Sequence, residues 1–315
     1  MKLSSFAPWC LLPLAFGLTL TAQEPTPAAK PTAAPAAKTA EPNFASQLAA
    51  SLQPARSVIY KRVGTVELKL DLFFPAGFKA SDQRPGLVAY HGGGWAAGSP
   101  RSMYPYAGWA TDHGMVGISV QYRRFKPKTE LTVFECVKDA RSAMRYVRSH
   151  AAELGLDPQR LIAIGSSAGG HLAVATALFD EVNDPGDDLK VSCRPDALIL
   201  LWPVIDTSTE GYGNAKIGER WRELSPLHQV RPGLPNTFLA HGTADATVPF
   251  KGAEAFHQAM LKAGNRCDFV VGPDGGHGYM MKDAAAYADA LRKFEAFLSS
   301  LGLLPKPAQP GPSAK

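Results

Sequence analysis

With 315 residues, 45% of them hydrophobic and 19% charged, the chain has the composition of a globular protein with a sizeable core, which excludes a fibrous or wholly disordered chain. The formal charge of +5 is spread along the sequence. No block of like charge stands out, so the charge gives no reason to expect a nucleic-acid or membrane-surface partner.

Residues 1–22 read as an export signal. Lys2 supplies a positive start, Phe6 to Leu20 is apolar but interrupted by Pro8 and Pro13, and Thr19, Thr21 and Ala22 offer a cleavage site. That run is too short and too broken for a membrane span, so a secreted or periplasmic protein without stable membrane insertion is expected. Cys10 lacks the small residue that a lipoprotein signal places before it. Residues 23–44 are nearly all Ala, Pro, Thr and Lys, a composition that cannot bury apolar surface and predicts a disordered linker. Residues 304–315 predict a tail of the same kind. One domain, 45–303, lies between them.

Within it, strand-like and helix-like segments alternate, which predicts an α/β fold with a mostly parallel central sheet and helices on both faces. Ser57–Lys61 and Thr65–Phe74 predict an antiparallel hairpin at one edge. The short apolar runs Leu87–Tyr90, Val116–Gln121, Leu161–Ile164, Ala197–Trp202, Thr237–Ala240 and Cys267–Val271 suit central strands buried on both faces. Helices are expected at Phe134–His150, Gly169–Phe179, Ala253–Lys262 and Ala284–Leu301. Segment 207–231 fits neither template and is expected to be a small lid or substrate-facing insertion. Beyond the signal, Cys136, Cys193 and Cys267 allow one disulfide of undetermined pairing, or buried thiols packed as small hydrophobes. No Cys-x-x-Cys or His/Cys cluster has metal-binding spacing.

Four motifs carry chemistry. Gly165-Ser166-Ser167-Ala168-Gly169 stands between a predicted strand and a predicted helix, the context of a nucleophile elbow. Small neighbours let strand and helix approach there, and the helix N-terminus favours negative charge developing at Ser167. His91-Gly92-Gly93-Gly94-Trp95 closes an earlier strand with glycines whose N–H groups can approach a ligand closely. An acyl-transfer site needs two such donors, one from this loop and one from the Ala168 N–H. A phosphate cradle is the rival, but no Gly-Lys-Ser/Thr follows. His91 is expected to position the loop.

His277 lies in the glycine loop Pro273–Tyr279 after the last predicted strand, a poor place for a packing histidine and a good one for a base. His171, His241 and His257 read as structural, and His113, His150 and His228 have no supporting context. Asp245, after the strand Thr237–Ala240, is the acid of choice over Asp206, while Asp274 is too near His277 in the chain. The order Ser, Asp, His differs from the chymotrypsin and subtilisin orders.

In their order, HGGGW, GSSAGGHLA, HGTADATVPF and GGHGY resemble the motifs of the α/β-hydrolase-3 carboxylesterases, and they are similar to those of secreted acetyl-xylan/feruloyl and acetyl esterases. The resemblance runs through most of the chain. It implies an α/β-hydrolase fold with a small cap or none, and a triad of Ser167, Asp245 and His277. The implied oxyanion donors are Gly93, Gly94 and Ala168. The implied substrate is a small-molecule or polysaccharide ester of a short acyl group, such as acetyl on plant xylan, and no cofactor is needed. The large N-terminal cap of the hormone-sensitive-lipase pattern is missing, which argues against long-chain lipids. An exopeptidase, amidase or formamidase with the same triad stays open as an alternative, as does a catalytically silent binding scaffold.

Overall fold

The computed structural model describes residues 44–305. The expected signal 1–22, nearly all of the expected linker and most of the expected tail lie outside the described residues. Two described residues just outside the expected domain pack against it. Phe44 opens the first helix, α1 (Phe44–Ser51), with its ring edge-on to Tyr287, and Leu304 packs on the core.

The eight strands form one sheet. They are β1 (Arg56–Val63), β2 (Val66–Phe73), β3 (Arg84–Tyr90), β4 (Val116–Val120), β5 (Leu156–Ser166), β6 (Ala197–Leu201), β7 (Asn236–Gly242) and β8 (Cys267–Gly272). Their order across the sheet is β1-β2-β4-β3-β5-β6-β7-β8. The first two strands form the expected hairpin, and β2 joins β4 antiparallel; every pairing from β4 onward is parallel.

Successive side chains on a strand point to opposite faces, and here they feed two separate cores. Val88, Tyr90, Leu161, Ala163, Leu198 and Leu200 join one cluster, which holds Val137 and Met144 of α3 (Val133–Ser149), Leu172 of α4 (Ala168–Leu178), and Phe256 of a later helix, Phe250–Lys262. Their neighbours Leu87, Ala89, Ile162, Ile164, Ile199 and Leu201 face the other cluster. It holds Tyr106 and Trp109 of α2 (Tyr104–Asp112), with Phe294 and Leu298 of the last helix, Ala284–Ser300. Helices on both faces explain why the strands read as unbroken apolar runs.

Sequence also dictates the helix starts. Thr132 and Glu135 form a capping box on α3, with the Thr132 hydroxyl accepting from the Phe134 N–H and the Glu135 carboxylate accepting from the Thr132 N–H. Segment 207–231 forms a one-turn helix, α5 (Asn214–Ile217), followed by 3-10 turns at Gly218–Leu224 and Pro226–Gln229. The two remaining helices are therefore α6 (Phe250–Lys262) and α7 (Ala284–Ser300). No described helix is long and apolar enough to cross a membrane. Cys136, Cys193 and Cys267 are buried free thiols, so the packed-thiol alternative holds over a disulfide. Burial pushes the Cys136 and Cys267 thiols up to about 12.

Candidate active site

Strand β5 runs into a sharp turn at Ser167, whose φ of 54° is left-handed for a non-glycine residue. Such a conformation costs on the order of 1–3 kcal/mol and persists only where surroundings enforce it. They do so through the main chain. The Ser167 N–H donates to Leu201 O at 2.9 Å, and its carbonyl accepts from the N–H groups of Val204 at 3.1 Å and His171 at 3.2 Å. Glycine is required nearby because backbone meets backbone: a Cβ on Gly165 would overlap the Gly169 carbonyl, and one on Gly169 the Tyr90 carbonyl. Ser167 therefore sits at the head of α4 above the sheet, only 8% exposed.

Three residues far apart in sequence meet there. The Ser167 hydroxyl lies 3.0 Å from His277 Nε2, and His277 Nδ1 lies 2.8 Å from Asp245 Oδ2. The other carboxylate oxygen, Oδ1, accepts from the N–H groups of Thr247 and Val248, each at 2.9 Å. Burial alone raises the Asp245 carboxyl. Hydrogen bonds from His241, His277 and the Val248 and Thr247 amides outweigh it and hold the group well below the usual carboxylate range. An ionised carboxylate only accepts, so His277 carries its proton on Nδ1 and presents a bare Nε2 to the serine hydroxyl.

The rival acids are occupied elsewhere. Asp206 closes a turn, accepting from the Ser208 N–H at 2.9 Å, and Asp274 sits in an exposed turn with a φ of 53°.

The glycine loop lies against the serine: a Cβ on Gly92 would stand 3.2 Å from Ser167 Cβ. Gly93 and Gly94 have φ values of 114° and 56°, which glycine adopts without strain. Behind them His91 stacks on Tyr122 with ring centroids 4.2 Å apart, and the Tyr122 hydroxyl donates to His91 O at 2.7 Å. Burial pushes the His91 imidazole down to about 4, so it braces the loop as a neutral ring, the positioning role expected of it. His171 keeps its structural role too, bonding Leu224 O through Nε2 at 2.8 Å.

Three contributions were not legible in the motifs. From segment 207–231, Lys216 Nζ donates to Gly94 O at 3.0 Å and Tyr212 covers Gly94. Trp202 (φ 35°) packs its ring 6.4 Å from that of His277. His241, read as structural, lies 3.2 Å from Asp245 Oδ2. Its spacing of four residues from Asp245 was the available signal. Beside His277 opens a cleft of about 440 Å³.

Comparison with known proteins bears on the whole arrangement. The BD-FAE family model matches residues 70–260, more than half of the chain. The chain belongs to the BD-FAE family. It is also similar in structure to Thermogutta terrifontis esterase 2, with a TM-score of 0.75 and 40% identity over 80% of this chain and 96% of that one. The sheet and its helices are thus an α/β-hydrolase fold. Among curated relatives it is 28% identical to carboxylesterase NlhH of Mycobacterium tuberculosis, over 69% of this chain and 72% of that protein. It is 26% identical, over 70% of its length, to a probable isoprenylcysteine alpha-carbonyl methylesterase of Oryza sativa, of which it covers 56%. Against the corresponding Arabidopsis thaliana protein the covered share is 47%, so the chain spans about half the length of these plant relatives. This BD-FAE protein has an α/β-hydrolase fold, without a large cap among its described residues.

Proposed function

We propose that this BD-FAE protein hydrolyses carboxylic esters of short acyl groups, acetyl foremost, with Ser167 as nucleophile, His277 as base and Asp245 as its orienting acid. The observation that carries the reading is the unbroken path from the Ser167 hydroxyl through His277 to Asp245.

His277 Nε2 takes the serine proton as Oγ attacks the ester carbonyl, and Asp245 stabilises the imidazolium that results. The N–H groups of Gly93, Gly94 and Ala168 face the developing oxyanion, each donor contributing on the order of 3 kcal/mol. The imidazolium then protonates the leaving alcohol. A water deprotonated by His277 attacks the acyl-enzyme and releases the acid, so no cofactor enters. The short-acyl preference is supported by Tyr212 and Lys216 closing in on Gly94. It is also supported by the Thermogutta esterase, whose structures include propionate- and butyrate-bound forms and one phosphorylated by paraoxon. Acetylated plant polysaccharide is the natural source of acetyl esters on this reading, and export through residues 1–22 delivers the enzyme to it.

The test is acetate release from acetylated xylan and p-nitrophenol release from C2 to C12 esters, with wild type and Ser167→Ala. Short-ester and xylan activity, both lost in Ser167→Ala, is the expected result. Short-ester activity without xylan release removes the polymer. Activity surviving in Ser167→Ala removes the triad, and cleavage of an aminoacyl anilide in preference to esters removes the esterase. The N-terminal residue of protein recovered outside the cytoplasm checks export.

A further inference from the structure

The cleft beside His277 has three walls: Ala45 and Ala49 of α1, the segment from Ser99 to Ser102, and the segment from His277 to Lys282. Ser167 and the glycine loop do not line it. In the proposed reaction His277 protonates the leaving oxygen, so the alcohol half departs on the His277 side and the acyl half stays toward Gly94. The cleft therefore lies where the alcohol goes.

Its charge is one-sided. Arg101 and Lys282 both face it, and its described walls carry no carboxylate. Asp283, next to Lys282, is turned away: its Oδ1 accepts from the Ala285 and Ala286 N–H groups at 2.7 and 3.0 Å and caps α7. Arg101 Nη2 donates to Ala50 O at 3.1 Å, which steadies the guanidinium beside α1 and leaves its other N–H groups for a ligand. Lys282 makes no ion pair among the described residues. A guanidinium and an ammonium across an open cleft are matched by a carboxylate, which the planar guanidinium can grip with two bonds.

Resting on the ester-hydrolase reading, we propose that this cleft is a leaving-group subsite for alcohols that bear a carboxylate, as in a hydroxy acid or a uronic-acid-containing sugar. The substrate is thus an acyl ester whose alcohol half is anionic.

A matched pair of esters tests this: 3-carboxyphenyl acetate and its neutral analogue 3-carbamoylphenyl acetate. Wild type is expected to favour the anionic ester in kcat/KM by about tenfold at low ionic strength, and to lose the preference as salt screens the cations. The Arg101→Gln/Lys282→Gln double variant is expected to bring the ratio to about one. An acetylated uronic-acid polymer and its carboxyl-reduced form, compared in the same way, distinguish a polymeric source from a small hydroxy-acid ester. Carboxylate preference on either pair, lost in the double variant, supports the subsite. No preference on both pairs, or a preference the double variant keeps, overturns it. Hydrolysis that persists in Ser167→Ala is a different failure, that of the ester-hydrolase reading itself.

We also infer that His241 is a positioning residue for the Asp245–His277 pair. It is fully buried at the end of β7, with Nε2 3.0 Å from Val248 O and 3.2 Å from Asp245 Oδ2. The Val248 carbonyl only accepts, so Nε2 carries a proton, and the same N–H leans on the oxygen that faces His277. With Thr247 and Val248 bonded to Oδ1, this contact completes the fixing of the carboxylate plane and tempers the charge felt by His277. His241→Leu removes the donor. It is expected to lower kcat/KM about tenfold and to move the acid limb of the pH profile up by about half a unit, because the less shared carboxylate holds the imidazolium more tightly. His241→Gln offers an N–H at similar reach and is expected to restore both. A folded His241→Leu variant with an unmoved acid limb overturns the inference, as does a folded His241→Gln variant that restores nothing.

Discussion

Replacing Asp245 with asparagine probes the geometry of the site more sharply than removing it. The Thr247 and Val248 N–H groups both point at Oδ1, each at 2.9 Å, so only the carboxamide oxygen can occupy that position. The amide nitrogen must then take the place of Oδ2. There it faces His277 Nδ1 at 2.8 Å and His241 Nε2 at 3.2 Å, which sets donor against donor. His277 relieves the clash by moving its proton to Nε2, the atom that accepts the serine proton in the proposed mechanism. The volume, the fold and the Ser167–His277 distance are all preserved while the base is held in the wrong tautomer. A triad so blocked loses roughly four orders of magnitude in kcat, or about 5.5 kcal/mol of transition-state stabilisation. The assay is kcat for p-nitrophenyl acetate at pH 8 beside a thermal melt, with Ser167→Ala setting the floor. Asp245→Asn that melts like wild type and keeps more than about a tenth of its kcat refutes the tautomer argument.

His91 and His171 are neutral in the fold, both pushed down to about 4 by burial, while an unfolded histidine titrates near 6.5. The unfolded chain therefore binds protons first, so stability is full above about 6.5 and falls toward pH 4 by up to roughly 3 kcal/mol per histidine. Urea midpoints at pH 7 and 4.5 should drop less for His171→Gln than for wild type, and equal drops count against the reading. Gly169→Ala forces a Cβ onto the Tyr90 carbonyl, pushing α4 off β3, and is expected to yield little soluble protein in an expression and melting test. Gly94→Ala places a Cβ 2.5 Å from the Tyr212 hydroxyl and 2.9 Å from Lys216 Nζ at a φ of 56°. Its kcat should fall by about 10- to 100-fold with a small change in melting, and adding Tyr212→Phe should return part of the loss.

Much of this fold was legible because its signals are local. Leu87–Tyr90 and Ala197–Leu201 are apolar on both sides because helices cover both faces of the sheet, and nothing but a buried strand fits so short a run. Helix α2 escaped notice for the opposite reason: Tyr104 to Ala110 are buried all round, so no polar stripe marks a helical period. Helix α1 is eight residues long and follows an Ala/Pro-rich stretch whose composition masks it. At the site, Ser167 and the glycine loop announced themselves because tight backbone approach demands small residues in sequence. The contacts of His241, Lys216 and Trp202 did not, since each depends on where a neighbouring loop comes to rest.

The register of the sheet explains how a serine, an aspartate and a histidine spread over 110 residues come within hydrogen-bonding reach. Parallel strands all end on the same edge, and here β7 and β8 run only two or three residues past the ends of β3, β5 and β6. Tyr90 pairs with Gly165, Ser166 with Leu201, Leu201 with Ala240, and Gly242 with Gly272. The glycine loop, Ser167, Asp245 and His277 each follow one of those ends, so the pairing register alone brings all four to one rim. A slip of one residue between β7 and β8 would carry His277 about 3.3 Å along the strand and turn every β8 side chain to the other face. The 207–231 segment leaves this rim and returns to it without supplying any of the three side chains of the Ser167–His277–Asp245 path. Beneath it, the glycines at 165, 169 and 242 sit where neighbouring backbone leaves no room for a Cβ.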